Sequence, residues 1–288
     1  MLTAMRLQRT IARETEVRGI GFVQGHDVAL RFRPARADTG IVFVRTDLPG
    51  RPAVRANIVN VVPRQRRTTV QRGEAVVEMV EHVLAALAGL RVDNCEIEID
   101  APETPGCDGS SGAFVAAVSA AGTVELDRER PTLVISRPVA VSEGGAVLTA
   151  RPADEPGYRL SYHLDYGGTP IGVQSLSLEI TPESFAAELA PCRTFLLEAE
   201  AQALRRAGIG ARAKETDLLI FGPDGPIGNH VLFPDECVRH KILDMVGDLA
   251  LLEMDIVGHV AADRSGHRLN AMLVRALIAA RDDDRTAA

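Results

Sequence analysis

The sequence predicts an α+β fold built as two domains of similar topology, an internal duplication in which each domain is a sheet with a helical layer. Three observations predict it. The first eighty residues alternate apolar and polar side chains in the manner of strands. The pattern then changes to an apolar run, "EAVVEMVEHVLAALAGL" (74–90), of helical character. Finally, the succession helix, strand, Ser-Gly loop, helix occurs twice, about 155–160 residues apart, as internal repeats do.

Each element has a local reason. "DVALRFRPA" (27–35) sets Val28, Leu30 and Phe32 against Ala29, Arg31 and Arg33, a half-buried strand. "TGIVFVRTDL" and "RANIVNVV" continue in that style. The run 74–90 reads as a buried helix whose Gly89 stands where a C-terminal glycine belongs. "NCEIEID" is the next strand, and Asp108, Ser110 and Ser111 of the loop "APETPGCDGSSG" offer caps to the helix "AFVAAVSAAG". "DRERPT" (127–132), charged and closed by a proline, reads as the linker. The division expected is residues 1–127 and 128–288. In the second part, a helix from Val238 leads to the apolar strand "MDIVGHVAA", the loop "DRSGH" and the helix "RLNAMLVRALIAA".

The chain has 288 residues, 46% apolar and 25% charged, ordinary values for a globular protein. The tail "RDDDRTAA" from Arg281 is the one segment whose composition reads as disordered. A formal charge of −7 argues against a nucleic-acid partner. Cys95, Cys107, Cys192 and Cys237 form no C-x-x-C pair, so they read as reduced thiols. "MLTAMRLQRTIARETEV" lacks the apolar core of a leader, and no run of about 18 apolar residues could span a membrane. A cytoplasmic, monomeric protein is expected.

The chemistry concentrates on "DECVRHKILDMVGDLALL" (235–252). Wound as a helix at about 100° per residue, it puts His240, Asp244 and Asp248 on one narrow strip. Ile242, Leu243, Met245, Val246 and Leu249 cover most of the remaining surface, so the helix expects burial. His240 and Asp244 at i, i+4 can reach one metal ion, or can belong to a plain polar face. Glu81 and His82 lie in an equally apolar helix, where they are costly without partners. A catalytic zinc needs three protein ligands and an open position. His82, His240 and Asp244 would supply the three and leave Glu81 free to take a proton. His267 precedes a helix and carries no role from its position alone. Thr194 in "CRTF" reads as an ordinary strand threonine, and "PRQRRTTVQR" (63–72) as a solvated loop. His26, His163, His230 and His259 have no partner pattern and read as structural.

Five ordered stretches together resemble one family. They are "VEHVLAALAGLRVDN", "APETPGCDGSSGAFV", "CRTF", "DECVRHKILDMVGDL" and "SGHRLNAMLVRAL". The family is the UDP-3-O-acyl-N-acetylglucosamine deacetylases, zinc amidohydrolases of lipid A biosynthesis. The resemblance implies an active site between the helical layers, with zinc on His82, His240 and Asp244; iron suits the same ligands. It implies Glu81 as general base, His267 as the protonated histidine, Asp248 as its support and Thr194 at the developing oxyanion. Lys241 would meet the nucleotide diphosphate, and Phe195 and Leu204 would contact the substrate. It also implies a β-α-β insert at about 193–222 that forms a passage for the acyl chain, with Leu196, Ala203, Leu204 and Ile209 as wall positions. The chain departs from the family pattern at Val23, Met79, Cys107 and 210–220, which bears on acyl-chain length and substrate. Two other readings use the same residues: a paralogous zinc deacetylase of another acylated amino sugar, separable by acyl-substrate profiling, and a catalytically silent metal-binding relative.

Overall fold

The computed structural model describes residues 6–286. Met1 to Met5, where the stretch read for a leader begins, and Ala287 and Ala288 of the tail lie outside the described residues. The first part of the chain forms β1 (Leu7–Ile11), β2 (Thr15–Ile20), β3 (Asp27–Pro34), β4 (Ile41–Arg45), β5 (Ala53–Arg55), β6 (Val61–Val62), β7 (Thr69–Arg72) and β8 (Ala75–Glu78). Next come α1 (Glu81–Gly89), β9 (Cys95–Ile99), α2 (Gly112–Ala121) and β10 (Thr123–Glu129). Alternation sets the pleat as expected: Val28, Leu30 and Phe32 of β3 are buried, while Arg33 reaches out to Glu14 and Glu98.

The second part supplies β11 (Thr132–Val134), β12 (Val139–Glu143), β13 (Ala146–Arg151), β14 (Tyr158–Tyr166), β15 (Gly172–Glu179) and the short α3 (Pro182–Ser184). Then come β16 (Phe195–Leu197), α4 (Glu198–Arg206), β17 (Leu219–Gly222), β18 (Gly225–Pro226), α5 (Glu236–Leu249), β19 (Asp255–Asp263) and α6 (His267–Thr286). One sheet runs β2-β3-β9-β4-β5 and the other β12-β13-β19-β14-β15. Along these two paths the strand senses match position by position: β9 with β4, and β19 with β14, are parallel and the other neighbours antiparallel, while β11 adds a parallel pairing to the edge of β19 in the second sheet alone. In both, one helix precedes the central strand and one follows it. The result is a mixed α+β molecule.

Three expectations change. The helix expected over 74–90 begins only at Glu81, because 75–78 is strand β8, folded against β7 across Gly73 and Glu74 with φ +57° at Gly73. Val76 and Val77 favour a strand, and a short apolar run has no distinguishing period. The segment expected as a linker is mostly strand: β10 continues to Glu129 against β1, and β11 starts at Thr132. The acidic tail is helical as far as the described residues go, since α6 continues through Thr286. Among the described residues no helix is long and apolar enough to cross a membrane.

The insert has the expected strand-helix-strand order, with β16 parallel to β17. Its own small core is Ala201, Leu218 and Ile220 with Leu196 against them. Ala203 is exposed and Leu204 half-buried.

Helices α1 and α5 pack directly together between the sheets. Their crossing is close enough that a Cβ on Gly247 would lie 2.1 Å from the Glu81 carbonyl oxygen. Backbone, not a movable side chain, occupies that space. Gly247→Ala should therefore lower the unfolding free energy by about 1–3 kcal/mol or more, the usual range for overpacking. Urea denaturation checks this; an unchanged midpoint would refute the crossing.

Candidate metal and catalytic site

The α1/α5 crossing brings His82, in the first turn of α1, against His240 and Asp244, one turn apart on α5. The ligand atoms of these three buried residues all lie within 4.8 Å of one another. His82 Nε2 is 3.5 Å, and His240 Nε2 3.4 Å, from the same oxygen, Asp244 Oδ1. That oxygen is buried and has no hydrogen-bond partner among the described residues. His240 Nδ1 is 3.0 Å from the Cys192 carbonyl, an acceptor, so Nδ1 carries the proton and Nε2 presents a lone pair. Burial pushes the His240 pKa down to about 4 despite Asp244, so the ring is neutral at pH 7. Burial opposes ionisation of Asp244, yet His240 and Lys241 hold its pKa well below the usual carboxylate range. An orphaned carboxylate oxygen and a neutral imidazole lone pair converging in a buried space suit a divalent cation. Lys241 Nζ donates to the other oxygen, Asp244 Oδ2, at 2.6 Å.

Beside this cradle lies a second set. Glu81, the first residue of α1, is 2% exposed, and burial raises its pKa. Its Oε1 is 4.0 Å from His267 Nε2, and its Oε2 accepts the Thr68 backbone N–H at 3.0 Å. His267 Nδ1 bonds Asp248 Oδ2 at 2.8 Å. Burial disfavours the imidazolium, but Asp248, by charge and hydrogen bond, and then Glu81 push the His267 pKa up to about 9. Asp248 also accepts from Asn270 Nδ2 at 2.8 Å and from the Thr68 hydroxyl at 2.5 Å.

The "CRTF" segment does more than its threonine suggests. The Cys192 carbonyl orients His240. Arg193 forms a buried ion pair with Glu236 at the start of α5, Nε to Oε1 at 2.8 Å. The Thr194 N–H donates to the Gly109 carbonyl at 2.8 Å. Gly109 sits at φ +77°, and a Cβ there would meet the Thr194 methyl at 2.9 Å, so glycine is required on both counts. The Phe195 ring is edge-on to His240, with centroids 6.3 Å apart. Of the expected caps on α2, the Ser110 hydroxyl accepts the Gly112 N–H, while the Ser111 hydroxyl donates to the His82 carbonyl at 2.9 Å.

The structure thus gathers His82, His240, Asp244, Lys241, Glu81, Asp248, His267 and Phe195 around one point, with Thr194 beside Phe195. Leu204 stands on α4, outside this hydrogen-bonded set. A cavity of about 370 Å³ against other faces of α1 and α5, lined by Leu84, Leu87, Val246 and Leu249, contains none of these groups. Sequence reasoning missed Thr68, Asn270, Cys192 and Arg193. Asn270 follows His267 by three on one helix and was within reach of periodicity. Thr68 lies in the stretch read as a solvated loop, a correction, since Thr68, Thr69 and Val70 are buried. The arginines around them masked the burial.

The family model described as UDP-3-O-acyl N-acetylglycosamine deacetylase matches residues 8–279. A Citrifermentans bemidjiense protein named UDP-3-O-acyl-N-acetylglucosamine deacetylase is 39% identical over 275 residues, covering 95% of this chain and 90% of that protein. Proteins of the same name from Bdellovibrio bacteriovorus and Thermosynechococcus vestitus are each 39% identical, over 272 and 270 residues. They cover 94% of this chain in both cases, and 89% and 93% of their own lengths. With a family model spanning nearly its whole length and relatives at this identity, the chain belongs to the UDP-3-O-acyl-N-acetylglucosamine deacetylase family.

Proposed function

We propose that the chain hydrolyses the N-acetyl amide of UDP-3-O-acyl-N-acetylglucosamine, releasing acetate in an early step of lipid A biosynthesis. The observation that carries this reading is the orphaned Asp244 Oδ1 facing two imidazole Nε2 atoms, beside a Glu81–His267 pair. A zinc ion held by His82, His240 and Asp244 would supply Lewis acidity toward water and the amide carbonyl.

The chain's own residues do the proton work. Glu81 accepts a proton from the attacking water through Oε1; burial raises its pKa and so makes it a stronger base. The water oxygen bonds the carbonyl carbon, and the Thr194 hydroxyl donates to the developing oxyanion, a contribution of roughly 10²–10³ in rate. His267, a cation held by Asp248, gives its Nε2 proton to the departing amine as the C–N bond breaks. Lys241 has three donors; one bonds Asp244 and the others suit the substrate's diphosphate. Phe195 and Leu204 contact the acyl side. Residues 1–127 and 128–288 act as two domains around this cleft, in a cytoplasmic monomer.

A paralogous activity on another acylated amino sugar would use the same groups. Its support is the insert, where the chain departs from the family pattern at 210–220 and residues 210–218 form turns and bends before β17. Profiling substrates of different acyl length separates the two readings. The intact set of acid, base and ligand residues argues against a silent binding protein.

Two outcomes are expected. Mass spectrometry of UDP-3-O-(3-hydroxymyristoyl)-N-acetylglucosamine with the zinc-loaded protein should register loss of one acetyl group, and a chelator should stop it. Glu81→Ala should cut turnover by about 10²–10⁴ with metal content unchanged. Full turnover in that variant would refute the base assignment.

A third outcome concerns pH. The His267 pKa is raised from an ordinary 6.5 to about 9, so its cation persists through neutrality and is lost as pH rises through about 9. The stability it contributes is fully present below pH 6.5 and lost through the same upper range. The basic limb of kcat/KM should fall near pH 9, and the stability gap between wild type and His267→Ala should narrow there. A flat profile to pH 10 would contradict the general-acid role.

A further inference from the structure

We propose that Thr68 is a positioning residue that ties the general base to the support of the general acid. The inference rests on the roles of Glu81 and His267 given above. Thr68 is 4% exposed and uses all three of its polar groups. Its carbonyl accepts the Val80 N–H at 3.2 Å, which sets it against the start of α1. Its N–H donates to Glu81 Oε2 at 3.0 Å, and its hydroxyl donates to Asp248 Oδ1 at 2.5 Å.

The two carboxylates belong to different parts of the chain, and this one residue holds both. Asp248 Oδ2 takes His267 and Asn270, whereas Oδ1 takes Thr68. Without the hydroxyl, the carboxylate is free to turn about its Cβ–Cγ bond, and the His267 ring bonded to it turns as well. On the other side, the Thr68 N–H pins Glu81 Oε2 and leaves Oε1 facing His267 Nε2 across 4.0 Å, where a proton must be taken up and delivered. The position of Thr68 is itself fixed. Thr69 pairs in register with Glu78 across β7 and β8, and Arg67 Nε bonds Glu78 at 3.0 Å. The hairpin 61–78 is therefore a scaffold for proton-transfer geometry. Partners of this kind typically account for 10–100-fold in activity.

The test compares Thr68→Val, which keeps the shape and loses the donor, with Thr68→Ser, which keeps the donor. Metal content and melting temperature are recorded for each. On UDP-3-O-(3-hydroxymyristoyl)-N-acetylglucosamine, kcat should fall about 10–10²-fold in T68V with KM unchanged. T68S should stay within about 3-fold of wild type, by the same logic of a retained donor. Wild-type turnover tests the deacetylase reading, and the variants test this one. Unchanged kcat in folded, metal-loaded T68V overturns the proposal, as does a rise in KM alone. If T68V loses its fold, T68C replaces it, because a thiol fills the space but donates weakly; a T68C kcat equal to that of T68S overturns it. Independent of turnover, the His267 pKa followed by NMR should move in T68V and stay in T68S. That ring faces Asp248 and Glu81, with Asp244 beyond. A pKa alike in all three proteins also overturns the proposal.

Discussion

The site depends on two helices being allowed to touch backbone to backbone. At Gly247 the absent side chain lets α5 approach the Glu81 carbonyl of α1, and that contact sits at the base of the chemistry. Glu81 and His82 open α1; His240 and Asp244 lie upstream of Gly247, and Asp248 follows it directly. An ordinary helix pair keeps axes 8–10 Å apart with side chains between them. A larger residue here would push Glu81 and His82 away from their partners on α5 by a distance that metal coordination and proton transfer do not tolerate. A second close contact reinforces the first. A Cβ on Gly89 would fall 2.2 Å from the Phe185 ring, so the far end of α1 is also seated without a spacer.

Such closeness buries charge, and the structure answers each charge with a partner of a particular kind. Asp248 is held through both oxygens by three donors of the protein itself. Asp244 is not: one oxygen meets Lys241 and the other is left facing imidazole nitrogens. The two aspartates, a turn apart on one helix, are thereby sorted into different tasks by their neighbours alone. The same sorting acts on the histidines. Burial keeps His240 neutral, while His267, held by Asp248, stays a cation. The buried Arg193–Glu236 pair anchors the start of α5, and Arg6 bridges Asp93 and Asp255 across the two parts of the chain. Breaking one partner of such a pair leaves a charge uncompensated, which is why these contacts hold geometry more than they add stability.

Much of this was legible in the sequence because helical periodicity is a strong signal. His240, Asp244 and Asp248 declared a strip on an apolar helix, and the duplicated order of elements declared the paired sheets. What failed shares a cause. Residues 75–78 carry valines at a spacing that suits helix and strand alike, and only the pairing of β8 with β7 decides. Thr68 was hidden because its burial comes from a distant helix: its hydroxyl partner, Asp248, lies 180 residues away. Cys192 contributes a carbonyl, which no side-chain motif can announce. Local pattern reports what a segment does to its own surface, whereas these residues act on surfaces brought to them by the fold.

The matched topology also explains why the site is lopsided. Each sheet sends its central-strand helices to the same layer, but α1 presents its N-terminus to the cleft and α5 its middle, while α6 begins there with His267. The first residues of α1 and α6 thus face each other, Glu81 Oε1 lying 4.0 Å from His267 Nε2. Helix N-termini carry partial positive charge and favour anions. A carboxylate at the start of α1 accords with that field, but a cation at the start of α6 opposes it. His267 therefore needs Asp248 and Glu81 to remain charged, and both push its pKa up. The field that works against the resting imidazolium would favour negative charge on a group bound beside these helix starts. That is the charge an amide acquires when water attacks its carbonyl carbon.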